Sequence, residues 1–408
     1  MPLDIVDLEE RLDRQLQRPR VTAFAAAHAA AVTWSEAVWS IAESAGPWVP
    51  AADEIECAFA VANRPVFVFG VHRSGTTLVR DLLDQHPALS VLPSEGTLFT
   101  GFAWHLKRLP RTEWLRFLGC EWLRRLANPI NQQPYWLFGR SSGKDSPYVD
   151  FARALMAWWP RVEARFGQRI ASWPLVAIAL AYAHCTRGFR TAPPLLRWVE
   201  KTPANERFLP RLVAEFPEAK LIHVVRHPFA VYASHRGAAR NAGRHLGDAS
   251  RILRQMHLSY REAARRLARP SEGSYLLLRY EDLLEKTTDA VRRMASFLEI
   301  EALPVMARPT VNGIPASSNS SFDSNGAAGC LYRRPPGDTF GMLAQHDRER
   351  ISAAVGDAAE KLGYRFAPLP ALHRERLRLL VRAGWTIDRF RARWSRFFPR
   401  ARDGVYFE

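Results

Sequence analysis

The sequence predicts an α/β protein, a parallel sheet flanked by helices, and three observations point to it. Short apolar runs such as PVFVFG (65–70) and KLIHVV (220–225) each lead into a segment with helical periodicity. Strands alternating with helices imply parallel pairing covered on both faces. The first of these runs enters a glycine-containing turn, and α/β sheets bind ligands at the carboxyl ends of their strands.

Taken in order, residues 4–45 read as helices, first LDIVDLEERLDRQL and then an alanine-rich run. They form an N-terminal helical extension over residues 1–60. PVFVFG is a strand, the residues after Gly70 a loop, and LVRDLLDQH a helix. Between about 98 and 190 the chain is rich in tryptophan and has no strand signal, as in EWLRFLGCEWLRRLA and YVDFARALMAWWPRVEARF. This stretch predicts a helical insertion over the carboxyl edge of the sheet. LLRWVE (195–200) is the next strand, Asn205 to Glu215 a helix, and KLIHVV a further strand. His227-Pro228 opens a helix, because proline is tolerated at the first helical position. SYLLLRY (274–280) reads as a buried central strand, and EDLLEKTTDAVRRMASFL continues it as one helix. Residues 311–338, rich in Gly, Ser, Asn and Pro, are loop. The α/β domain is thus expected over 61–370, followed by a basic helical tail over 371–408, where Gly384 and Pro399 weaken a long helix.

Composition narrows the function classes. With 408 residues, 47% hydrophobic and 11% aromatic, the chain is too rich in core-forming residues for global disorder. The longest uninterrupted apolar stretch, Trp173 to Ala183, falls short of the roughly 20 residues a spanning helix needs. The start, MPLDIVDLEERLDRQL, lacks the basic and apolar parts of a secretory signal, so a cytoplasmic location is expected. Four scattered cysteines without a CxxC pair suggest neither a disulfide framework nor a cysteine zinc site. Of the 57 basic residues all but six are arginine, a skew expected of a GC-rich, bacterial coding sequence. Ten arginines between Ala371 and Arg402 face only Glu375 and Asp388. That local excess of +8 is half of the net charge of +16, so basicity belongs largely to the tail, and no nucleic-acid partner is expected. An uneven apolar stripe beside those arginines (Leu377, Leu380, Val381, Trp385, Trp394, Phe398) suits either docking on the domain or peripheral contact with an anionic membrane.

The loop after PVFVF carries the chemistry. Gly70-Val-His-Arg-Ser-Gly75-Thr76-Thr77 has the GxxxxG frame of a phosphate loop, with Thr where the lysine of a nucleoside triphosphatase would stand. The cation is Arg73, inside the loop. Helix N-terminal N–H groups and the Ser74, Thr76 and Thr77 hydroxyls complete an anion cradle. The fold is therefore expected to be a P-loop-like parallel sheet without an obvious triphosphate clamp.

FVFGVHRSGTTLVRDLLDQHP resembles the 5′-phosphosulfate loop of sulfotransferases that use 3′-phosphoadenosine 5′-phosphosulfate (PAPS), closer to the bacterial and tyrosylprotein branch than to the cytosolic one. KLIHVVRHPFAVYASH resembles that family's 3′-phosphate motif, with Arg226 at the strand end and Ser234 eight residues later. An arginine there offers a planar fork to a phosphate, and Ser234, two turns into the helix, can face the same anion. RYEDLL and the run from YRRPPGD to EKLGY are similar to later family segments, so the likeness spans roughly residues 63–366. It implies PAPS as sulfuryl donor, no metal, and a hydroxyl-bearing acceptor such as a sugar, lipid, phenol or small metabolite. Gly75 and Tyr280 are placed near the nucleotide; Ser320, Arg333 and Arg334 of the late loop are implied around its 3′-phosphate and adenine.

Sulfuryl transfer needs an in-line hydroxyl, a group that takes its proton, and positive charge at the sulfuryl and bridging oxygens. Arg73 can serve the equatorial oxygens. The cytosolic branch has Lys-Thr-His about 25 residues before the 3′-phosphate arginine; here Lys201-Thr202-Pro203 keeps the lysine and lacks the histidine. The tyrosylprotein resemblance then points to Glu95 as base, one residue out of the expected register, with His105 of the insertion as the alternative. A P-loop kinase or other phosphotransferase on the same fold, and a non-catalytic scaffold at membranes, are the rival readings.

Overall fold

A computed structural model describes residues 5–16, 20–127, 135–142, 145–241, 249–268, 273–316, 328–331 and 341–394. The N-terminal part is helical: α1 (Ile5–Leu16), α2 (Arg20–Ala45) and α3 (Ala52–Ala62) precede β1 (Pro65–Phe69). Then come α4 (Thr76–Leu83), β2 (Leu89–Val91), a π-helical turn at Leu98–Phe102, α5 (Ala103–Leu106), α6 (Trp114–Ala127), α7 (Pro147–Phe166) and α8 (Trp173–Thr186). The α/β order resumes with β3 (Arg197–Lys201), a 3₁₀ turn at Asn205–Phe208, α9 (Leu209–Glu215), β4 (Lys220–Val225), α10 (Pro228–Asn241), α11 (Ala249–Leu267), β5 (Tyr275–Arg279), α12 (Tyr280–Glu285) and α13 (Thr287–Leu298). A small hairpin, β6 (Thr310–Val311) with β7 (Ile314–Pro315), leads to α14 (Gln345–Lys361) and α15 (Ala371–Trp394).

The five long-range strands form one parallel sheet in the order β2-β3-β1-β4-β5. All five residues of β1 are buried, as an apolar β-branched and aromatic strand between two neighbours requires. Its alternation splits the interior. Phe67 and Phe69, with Trp198 and Leu221, share a core with α1 to α3 and the insertion helices α6 to α8. Val66 and Val68, with Val199, Ile222 and Val224, face α4 and α13. A third core, around Val225, Tyr232 and Tyr260, joins α10, α11, α14 and α15. Thus the N-terminal helices and the insertion together cover one face of the sheet, and the insertion reaches its carboxyl edge through the Leu98–Phe102 turn and Arg125.

Several sequence expectations change. SYLLLRY is the edge strand β5, not a central one, and Tyr280 opens α12 instead of ending the strand. The helix expected from Glu281 onward breaks at Lys286, whose φ of −131° and ψ of 50° end α12 and begin α13. β2, only three residues long, and α3 were not read as separate elements from the sequence. Gly384 does not interrupt α15. A Cβ there would lie 2.5 Å from Ser250 Oγ of α11, so the glycine allows the tail helix to pack closely. No helix among the described residues is long and apolar enough to cross a membrane.

Candidate active site

The sequence of β1 sends the chain out of the sheet at its carboxyl edge, beside the point where strand order reverses. The loop then turns through two left-handed residues, Arg73 (φ 70°) and Gly75 (φ 102°), before α4 begins at Thr76. Gly75 is required twice over. Its φ suits glycine, and a Cβ would stand 2.3 Å from the Tyr280 ring. Tyr280 in turn lies under Arg226, with Cζ 4.3 Å from the ring centroid. Arg226 Nη1 donates to the Arg73 carbonyl at 3.3 Å, and Arg73 Nε donates to Ser234 Oγ at 3.0 Å. Residues 73, 75, 226, 234 and 280 therefore converge from three separate chain segments. Ser234 meets Arg73, although the two were assigned to different phosphates.

This corner is electropositive. Burial and the neighbouring Arg226 lower the Arg73 pKa to about 10, against the opposing influence of Tyr280. Ser74 Oγ is buried with no hydrogen-bond partner, at the mouth of a helix whose first N–H groups are free of helical partners. An orphaned hydroxyl, two adjacent guanidinium groups and a helix N-terminus are a donor set for a phosphate-type anion. Two histidines extend it that sequence reasoning did not single out. His235, one residue after Ser234, contacts the His72 carbonyl through Nε2 at 3.1 Å, and burial lowers its pKa to about 3.

The second half of the site lies between β1 and β3. Thr202 N donates to the Val68 carbonyl and Ala204 N to that of Gly70, carrying the end of β3 alongside the start of the loop. Lys201 is the last residue of β3, and its Nζ reaches Glu95 Oε1 at 2.6 Å, the lysine side chain being buried and that of Glu95 12% exposed. Burial alone would push the Glu95 carboxyl up, but Lys201, His72 and Arg125 outweigh it and hold its pKa below the usual carboxylate range. Burial lowers the Lys201 pKa.

The turn carrying Glu95 is fixed by residues that the sequence did not reveal. Glu200 Oε1 accepts from Gly96 N at 2.8 Å and from the Thr202 hydroxyl, and Oε2 accepts from Asn205 Nδ2 at 3.1 Å. Thr97 N donates to Thr202 Oγ1 at 3.0 Å. From the insertion, Arg125 donates to the Glu95 carbonyl and, at 3.0 Å, to Thr97 Oγ1. Burial, with Glu95 nearby, raises the Glu200 pKa to about 7. The one available signal was a glutamate directly after the apolar Trp198-Val199 pair and next to the lysine. His105, the alternative base, sits in α5 with its ring stacked on Phe117 at 5.9 Å. Ser320, Arg333 and Arg334 lie outside the described residues. Among the described residues no group of three or more His, Cys, Asp or Glu is placed to hold a metal ion.

No curated protein matches the sequence. Solved structures similar to it include sulfotransferase STF9 from Mycobacterium avium, at 17% identity over 72% of this chain and 78% of that one, with a TM-score of 0.38. The sulfotransferase domain of the Synechococcus PCC 7002 olefin synthase is 19% identical over 77% of this chain and 92% of that one (TM-score 0.38). The sulfotransferase domain from the curacin biosynthetic pathway is 19% identical over 76% and 95% (TM-score 0.39). These scores are below 0.5, so assignment rests on the sequence family. The model of the sulfotransferase family matches residues 65–304, from the first residue of β1 to beyond α13 and over more than half of the chain, and the chain therefore belongs to the sulfotransferase family.

Proposed function

We propose that this sulfotransferase moves a sulfuryl group from PAPS to a hydroxyl acceptor by in-line transfer across the gap between the phosphate loop and the Lys201–Glu95 pair. The observation that carries the reading is the convergence of Arg73, Arg226, Ser234 and Tyr280 on one side of β1 with a buried Lys–Glu pair on the other. The bound donor supplies the sulfuryl group. Ser74, Thr76, Thr77 and the N–H groups that open α4 hold the 5′-phosphosulfate, while Arg226 and Ser234 hold the 3′-phosphate. Arg73, between them, neutralises the equatorial oxygens.

Lys201 has three ammonium hydrogens and gives one to Glu95, leaving two for the bridging oxygen. As the acceptor oxygen bonds to sulfur, the sulfur–oxygen bond to the 5′-phosphate breaks and its electron pair stays on that oxygen beside Lys201. Glu95 takes the acceptor's proton. Its depressed pKa keeps it ionised, and the charge shift of Lys201 toward the leaving oxygen makes it a better base at that moment. Products are a sulfate ester and 3′,5′-adenosine bisphosphate.

Three finer assignments are proposed beside this reading, from the sequence features of the insertion, the arginine-rich composition and the tail. The acceptor is a sugar, lipid, phenol or small metabolite, the protein works in a bacterial cytoplasm, and the basic tail gives it a peripheral contact with anionic membrane. Thermal melting tests the nucleotide reading. At 100 times its Kd the bisphosphate stabilises the native state by about 2.7 kcal/mol. It should raise the melting temperature without magnesium, whereas a kinase would respond to ATP with magnesium. Failure of the bisphosphate to shift the melt would overturn the proposal.

A further inference from the structure

We propose that the seam between α11, α14 and α15 is a second anion site, separate from the phosphate loop, that takes a phosphate group carried on a small apolar body such as glycerol. A cavity of about 480 Å³ opens there, within the size range of small-molecule sites. Its floor is apolar, made by Ala264, Ala354, Ala358 and Val381. One wall is Trp385, whose ring lies 4.8 Å from that of His257. Trp385 Nε1 is buried and has no acceptor, although buried donors are nearly always paired.

The rim supplies charge that nothing in the lining cancels. Asp357, the one acid there, is bound by Arg378 at 2.5 Å, and Arg265 is held by Glu262 at 2.7 Å. Arg261, Lys361 and Arg382 also line the cavity. Among the described residues none of these three side chains has a hydrogen-bond or ion-pair partner. Three exposed cations over an apolar floor, beside an indole N–H that lacks an acceptor, match a phosphate ester better than a bare inorganic ion. Two guanidinium groups offer forks to its oxygens, and the alanine floor covers its carbon part. The ester has two sources, a free metabolite or a lipid headgroup. The outward face of α15 bears Leu372, Leu379 and Leu380, which are 87%, 66% and 58% exposed, so a lipid source is within the site's reach.

The full chain, saturated with 3′,5′-adenosine bisphosphate to fill the phosphate loop, is titrated calorimetrically with sn-glycerol 3-phosphate. It is also floated with vesicles of phosphatidylcholine alone or mixed with phosphatidylglycerol. The comparison is R261Q/R382Q, two exposed positions, with W385F as a second variant and melting curves to verify folding. Wild type should bind glycerol phosphate, the anionic vesicles or both. R261Q/R382Q should lose at least about tenfold in affinity, as expected for charge-assisted bonds, and W385F should lose a smaller factor. Loss confined to the soluble ester identifies a free metabolite, and loss confined to the vesicles a headgroup. No binding of either probe by wild type, or equal binding by R261Q/R382Q, overturns the site.

Discussion

Lys201 and Glu95 form a buried pair, and removing one partner should cost more than removing both. Lys201→Met leaves a carboxylate that burial pushes upward in pKa, with His72 and Arg125 as its remaining cations. Breaking a buried pair from one side costs about 3–5 kcal/mol, whereas replacing both partners by well-packed neutral groups is often neutral. Glu95→Gln should fall at the low end of that range, because its amide oxygen can still accept from Nζ. The two single effects then sum to about 6–8 kcal/mol, and Lys201→Met/Glu95→Gln should be more stable than that sum by at least about 3 kcal/mol, the upper end of what neighbouring residues show. Urea unfolding of the four proteins at neutral pH measures this coupling. The folded pKa of Glu95 is depressed, so its contribution to stability is present above the usual carboxylate range and is lost as pH falls through the folded value. The wild-type advantage over Glu95→Gln should accordingly shrink at acid pH. Additivity within about 0.3 kcal/mol, or an advantage that grows as pH falls, would refute the pairing argument. The same contact means that kinetics cannot separate the two roles cleanly. Lys201→Met should slow transfer by roughly 100-fold to 1,000-fold and also move the acid limb of the rate profile upward, as Glu95 loses its nearest cation.

Three further expectations follow from other contacts. Arg73→Ala and Arg226→Ala should each weaken binding of 3′,5′-adenosine bisphosphate by about tenfold or more, read by calorimetry, with the melting temperature of the free protein nearly unchanged; retained affinity in both would remove the nucleotide assignment. Glu200→Gln should flatten the dependence of melting temperature on pH between about 4.5 and 7: the folded pKa is raised to about 7, so wild type loses stability as pH rises through that window, and parallel curves would show that Glu200 does not titrate there. Ending the chain at Pro370 should abolish flotation with anionic vesicles at low salt while the bisphosphate still raises the melting temperature, and equal flotation of the shortened and full chains would exclude the tail as the membrane contact.

The order of strands and helices around the phosphate loop could be read from the sequence, because apolar runs such as PVFVF and KLIHVV and the helical periodicity between them are local properties. So was the family, since the spacing of Arg73 to Thr77 and of Arg226 to Ser234 reflects a strand end, a loop and a helix face within short segments. Lys201 and Glu95 were also legible one at a time, from their places in the motifs. Their contact was not: it joins residues 106 positions apart, and only parallel packing of β2 beside β3 closes it. The same holds for Arg125, which reaches the Glu95 turn from the insertion, and for Tyr280, whose assignment to a central strand failed because sheet order depends on crossover connections that leave no local trace. Glu200 shows the reason most directly. As a single residue it reads as a misplaced acid in a strand; surrounded by Gly96, Thr202 and Asn205 it is a buried acceptor that sets the shape of the turn, a role defined by the donors that folding brings to it.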